Sequence, residues 1–125
     1  MRIARAVATR AANEAGVVDA GLCHGAAGLG HVLNRLYQAT RDEEVGDAAR
    51  FWFERTLDMR KRGGGIGGYR ALAAREDGTR YWEDDEGVLT GAAGIALALL
   101  AATTAIEPEW DRMLLVSTRK YKSSA

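Results

Sequence analysis

The chain has 125 residues, enough for one small domain and too few for two of ordinary size. Its composition, 47% apolar and 27% charged, belongs to a folded domain rather than a disordered chain. Seventeen basic side chains balance seventeen acidic ones, which removes the electrostatic ground for expecting nucleic acid as a partner.

The first element expected is a short amphipathic helix over about 2–14, with Ile3, Val7 and the alanines inward and Gly16 as its stop. Arg2, Arg5 and Arg10 give it some of the composition of a transit peptide, but an ordinary surface helix accounts for it better. The continuous apolar core of a secretory signal is missing. An extended stretch over 17–22 leads to Cys23. A lone cysteine has no internal disulfide partner, so a reducing, cytoplasmic setting is the expectation.

A second helix is predicted over about 25–40, with Leu29, Val32, Leu33 and Leu36 at helical spacing. A third covers about 43–61 and carries Val45, Ala49, Trp52 and Phe53 on one side; Phe51, Trp52 and Phe53 read as helix packing. The only proline, Pro108, lies well beyond these helices. Residues 62–78 hold six glycines and keep no helical period. They read as a long loop with a short hairpin around "ARED-GT-RYW", and loops of that length usually line a functional surface. "EDDEG" at 83–87 lacks the spacing of a calcium loop and reads as a solvated acidic turn; contact with a basic segment of a partner is a lesser alternative. A fourth helix is predicted over 91–104. It is apolar all round, which predicts enclosure on nearly every side, yet it is short of the about 20 residues that span a bilayer. The polar tail over 118–125 is expected to fray.

Two of these helices open alike. "HGAAGLG" at 24–30 and "TGAAGIA" at 90–96 share Gly-Ala-Ala-Gly, and the segments between them read as one polar-faced helix and one glycine-rich loop. This is the mark of a repeated helical hairpin whose inner helix cannot be buried by one unit alone. Two copies are few for a closed architecture. Gly25 and Gly28 share a face, as do Gly91 and Gly94, so another backbone or a substrate can come close there. A phosphate cradle would need a preceding strand and a Gly-Lys-Ser/Thr ending, and neither is present.

Cys23 and His24 stand immediately before the first of these helices. Neighbouring residues within a helix point about 100° apart, but at a junction loosened by Gly25 both side chains can converge. Thiolate plus imidazole is a zinc-like donor set. An inert packed cysteine and a satisfied histidine remain the plain alternative.

"LCHGAAGLG", "GVLTGAAGIALALL" and "WDRMLLVS", in that order, resemble the C-terminal portion of the lanthionine synthetase C-like family, the lanthipeptide cyclases. The resemblance runs from about Asp19 to Ser117. It implies an all-α fold, a partial α/α toroid of helical hairpins whose inner helices start at glycine-rich motifs. It implies one Zn2+, with Cys23 matching the second cysteine ligand and His24 the histidine ligand. Gly25, Gly28, Gly91 and Gly94 are then the glycine motifs next to the substrate. The implied reaction is addition of a precursor peptide's cysteine thiolate to dehydroalanine or dehydrobutyrine, forming a thioether ring.

The pattern is also truncated. The family's first zinc cysteine lies upstream of "CHG", and no cysteine precedes Cys23 here; the family's acid–base histidine belongs to an earlier helix. No catalytic residue is therefore assigned, and residues 1–125 read as a single incomplete domain. A complementary N-terminal chain is the implied partner, and a non-catalytic remnant or assembly partner is the alternative. A Cys23 nucleophile with His24 as base ranks last, since adjacent residues seldom reach the required geometry. His31, seven residues and about 10.5 Å along the helix from His24, reads as a polar group at the ring's interior or edge rather than a ligand. Asp111 and Arg112 fall in the closing motif, where a structural ion pair or cap is implied.

Overall fold

Residues 26–40 form the central helix because their small residues let both neighbours approach. In the computed structural model, which describes residues 2–118, this helix, α2 (Ala26–Thr40), buries Ala26, Ala27, Gly28 and Gly30 at its start and Leu33 further on. Before it lie α1 (Arg2–Ala8) and a 3-10 turn, Ala12–Glu14; after it come α3 (Glu43–Asp58), a hairpin of β1 (Ala71–Ala74) and β2 (Arg80–Glu83), α4 (Ala92–Thr103) and a 3-10 turn, Glu109–Leu114. The chain is thus mostly helical, with one two-stranded antiparallel sheet.

Arg41 and Asp42 alone connect α2 to α3, and so short a link turns α3 back along α2. Asp42 caps α3 by accepting from the Glu44 N–H at 3.2 Å, and Glu43 and Glu44 set negative charge against the positive helix start. Ala26, Leu33, Val45, Ala48, Ala49 and Trp52 make one core between these two helices. A second core joins α2 to α4 through Ala27, Ile95 and Ala98, with Ala20, Leu22 and Tyr69 from the loops. α2 belongs to both cores, and the two-faced burial explains why its apolar stripe alone understates its role.

The hairpin lies where expected, pairing Ala71 with Glu83 through Ala74 with Arg80. Gly78 at φ +84° and Asp77, whose carboxylate accepts from the Thr79 N–H at 2.9 Å, make its turn. In the preceding loop a Cβ on Gly65 would lie 1.9 Å from the Tyr69 carbonyl, at φ +55°, so only glycine fits. The Tyr69 hydroxyl donates to the Thr56 carbonyl at 3.0 Å and moors this loop to α3.

Several expectations are corrected. The first helix stops at Ala8, buries no residue, and leaves Ile3 81% exposed rather than inward. Its seven residues have little tertiary support, and short helices need it. α3 ends at Asp58, three residues early, because the Lys61 N–H donates to the Gly68 carbonyl and draws the chain into the loop. α4 buries Gly94, Ile95, Ala98 and Ala101 but leaves Leu100 53% exposed, so the enclosure predicted for it is one-sided. The tail lies outside the described residues save for Thr118, whose hydroxyl donates to the Arg35 carbonyl at 3.0 Å. No helix among the described residues is long and apolar enough to cross a membrane.

Candidate metal centre

The two glycine-rich helix starts are the same structure built twice. Ala26 N–H donates to the Asp19 carbonyl at 2.9 Å, and Ala92 N–H to the Asp85 carbonyl at 2.8 Å. The Ala27–Ala20 and Ala93–Glu86 bonds follow, then Gly28–Gly21 and Gly94–Gly87. These side-by-side bonds satisfy helix-start N–H groups with backbone from the preceding loop. Gly25 and Gly91 precede the helices with φ of −103° and −100°. A Cβ on Gly25 would sit 2.2 Å from the Gly21 nitrogen, and one on Gly28 would sit 1.8 Å from the Leu22 carbonyl oxygen. Gly91 and Gly94 face Gly87 and Val88 as closely. The glycines therefore admit the chain's own loop.

The repeated unit is longer than its shared tetrapeptide. "DAGLCHGAAG" from Asp19 aligns with "DEGVLTGAAG" from Asp85, 66 residues on. Asp19 was missed by sequence reasoning, and the Asp-x-Gly spacing ahead of both Gly-Ala-Ala-Gly stretches was the available signal. Its buried carboxylate accepts from the Gly21 N–H at 3.2 Å and from the Leu72 N–H of β1 at 3.3 Å. Asp85 accepts from the Gly87 N–H at 2.6 Å and from the Thr90 hydroxyl. These bonds hold the Asp85 carboxyl below the usual carboxylate range, the Thr90 hydroxyl contributing most. Part of the "EDDEG" segment is thus a loop anchor. Glu83, Asp84 and Glu86 are exposed, Asp84 in a surface pair with Arg70.

Cys23 and His24 occupy the turn between these anchors and α2, and both are exposed. The Cys23 N–H donates to the Leu89 carbonyl at 2.7 Å, so the sister turn supports the cysteine's backbone. His24 Nδ1 lies 3.7 Å from Asp19 Oδ1. Thiol and imidazole at one solvent-facing turn, with a buried carboxylate behind the ring, suit two of a zinc ion's ligands. Among the described residues no group of three His, Cys, Asp or Glu side chains is gathered for one ion. The donor chemistry fits two positions of a zinc ion and does not by itself complete a site. Asp19 also lines a cleft of about 400 Å³ between the hairpin and the end of α3, with Lys61, Tyr69, Arg70 and Trp82 on its walls.

His31 is far from this turn in role. Its Nε2 lies 3.0 Å from Asp111 Oδ2, and Arg35 Nε reaches the same oxygen at 2.9 Å. Arg35 also donates to Gln38 at 2.7 Å and to Glu107, while Trp110 stacks on His31 with centroids 4.7 Å apart. All three central side chains are buried, and burial pushes the pKa of His31 below the ordinary histidine range, partly offset by Asp111. The closing motif does supply a structural ion pair, but Asp111 makes it with Arg35 on α2. Arg112 only approaches exposed Glu109, at 3.5 Å.

No curated protein matches the chain. The family described as lanthionine synthetase C-like protein matches it over residues 2–115, from the first helix to the end of the last 3-10 turn. With that span matched and both glycine-rich helix starts inside it, the chain belongs to the lanthionine synthetase C-like protein family.

Proposed function

We propose that this chain supplies the Cys23–His24 half of a zinc site in a lanthipeptide cyclase, as an incomplete α/α toroid whose remaining metal ligand comes from an upstream portion. One observation carries this reading. The sister turn, with the matching backbone bonds into its helix start, has Leu89 and Thr90 where this turn has Cys23 and His24, so the scaffold does not itself demand a thiol and an imidazole.

In this reading the Cys23 sulfur and the His24 imidazole would hold the ion. A zinc ion there supplies positive charge that keeps the substrate cysteine's thiol deprotonated. That sulfur adds to the β-carbon of dehydroalanine or dehydrobutyrine, and the α-carbon takes up a proton to complete the thioether. The glycines keep the turn folded against its own loop, and the cleft beside Asp19 offers room for peptide flanking the cysteine.

Combined with a chain bearing the family's upstream cysteine and acid–base histidine motifs, with zinc and a dehydrated peptide, the protein should consume the peptide thiol without a change of mass. Cys23→Ala should abolish ring formation; an unchanged rate refutes the assignment. Alone, the chain should retain zinc well below one ion per molecule in metal analysis. A second reading, a non-catalytic assembly partner, draws on exposed Leu89, Leu100 and Ile106. It predicts association with the upstream chain and no dependence on Cys23.

A further inference from the structure

We infer that Asp19 is a positioning residue for His24, its buried carboxylate holding the imidazole by Nδ1 and leaving Nε2 as the nitrogen that coordinates. The geometric part stands on this chain alone; only its consequence for a metal rests on the function proposed above.

The Asp19 side chain is 1% exposed, against 54% for His24. A carboxylate so enclosed needs hydrogen-bond donors or a positive partner. Two backbone N–H groups, of Gly21 and Leu72, donate to it at 3.2 and 3.3 Å and fix the carboxylate between the loop and β1. Among the described residues His24 is the one basic side chain within ion-pair range of it, at 3.7 Å, longer than a hydrogen bond.

The sister loop carries the independent observation. There Asp85 stands at the same place, six residues before the helix-entry glycine, and accepts from the hydroxyl of Thr90, the residue just before that glycine. His24 holds the matching position in the first copy. A carboxylate facing the side chain just before the glycine thus recurs in both copies, bonded to Thr90 in one and 3.7 Å from His24 in the other. With threonine it is a loop latch; with histidine the same latch selects a ring nitrogen. A histidine that ligates a metal through one nitrogen gains orientation and basicity when the other donates to a carboxylate.

The decisive measurement needs no metal. Nitrogen-15 NMR of the metal-free chain at about pH 9, where an imidazole is neutral, reports which ring nitrogen of His24 carries the proton. The expected result is the Nδ1–H form for folded wild type, and a shift toward the form seen in the urea-unfolded chain for Asp19→Asn. An Nε2–H form in folded wild type overturns the inference, as does an Nδ1–H form that persists in Asp19→Asn. If Asp19→Asn does not fold, the folded wild type compared with its unfolded chain decides alone. For the metal consequence, zinc competition against a chromophoric chelator should show Asp19→Asn weakened by about 10- to 100-fold. If the NMR result holds while zinc affinity does not change, the ligand role of His24 fails and the positioning geometry survives.

Discussion

Gly28 and Gly30 sit two residues apart in α2 and have opposite requirements. A Cβ on Gly28 would run into the Leu22 carbonyl at 1.8 Å, and that backbone cannot move without losing the loop bonds that start the helix. Gly28→Ala should cost about 1–3 kcal/mol of stability in denaturant unfolding. A Cβ on Gly30 would lie nearest the Phe53 ring, at 3.3 Å. There the gain in helix propensity, about 1 kcal/mol, offsets the crowding, and Gly30→Ala should be close to neutral. Equal losses for the two variants would mean that the close approach at Gly28 does not govern the loop. Single residues matter in the buried cluster too. Asp111→Asn removes the fully buried one of Arg35's two carboxylate partners, Glu107 remaining, and should cost about 1–3 kcal/mol, read by the same unfolding curves.

At the level of elements, that cluster fastens the last 3-10 turn to α2 and gives the attachment a pH dependence. The folded-state pKa of His31 is lowered, so below about pH 6.5 the unfolded chain binds a proton that the folded chain resists. Its contribution is complete above that pH and declines as the pH falls toward the lowered value. Stability should therefore drop as the pH falls below about 6.5, and His31→Gln should flatten the drop while lowering stability at neutral pH. A variant whose pH dependence matches wild type would remove His31 as its source. The first helix is different in kind: Arg5 donates to Asp42 at 2.7 Å across an exposed surface, so α1 should exchange its amide hydrogens well before α2.

Across the whole molecule, α2 is shared by two cores while α4 is covered on one side. Leu100 is 53% and Ile106 72% exposed, and apolar surface of this kind favours association. Sedimentation should show concentration-dependent self-association of the isolated chain, reduced in the double variant Leu100→Glu, Ile106→Glu. A monomer at every concentration would show that the uncovered face is tolerated as it stands.

The two glycine-opened helices, the polar-faced helix between them, the hairpin and the candidate ligands Cys23 and His24 were legible in the linear order of residues. Each is announced by local chemistry: glycine spacing, apolar period, turn residues and donor type. Tertiary structure alone decided that Asp111 pairs with Arg35 rather than with its neighbour, and that α4 has an uncovered side. Those outcomes join residues far apart in sequence or depend on which element covers which. Composition records that α4 is apolar, but only packing determines how much of that surface is removed from water.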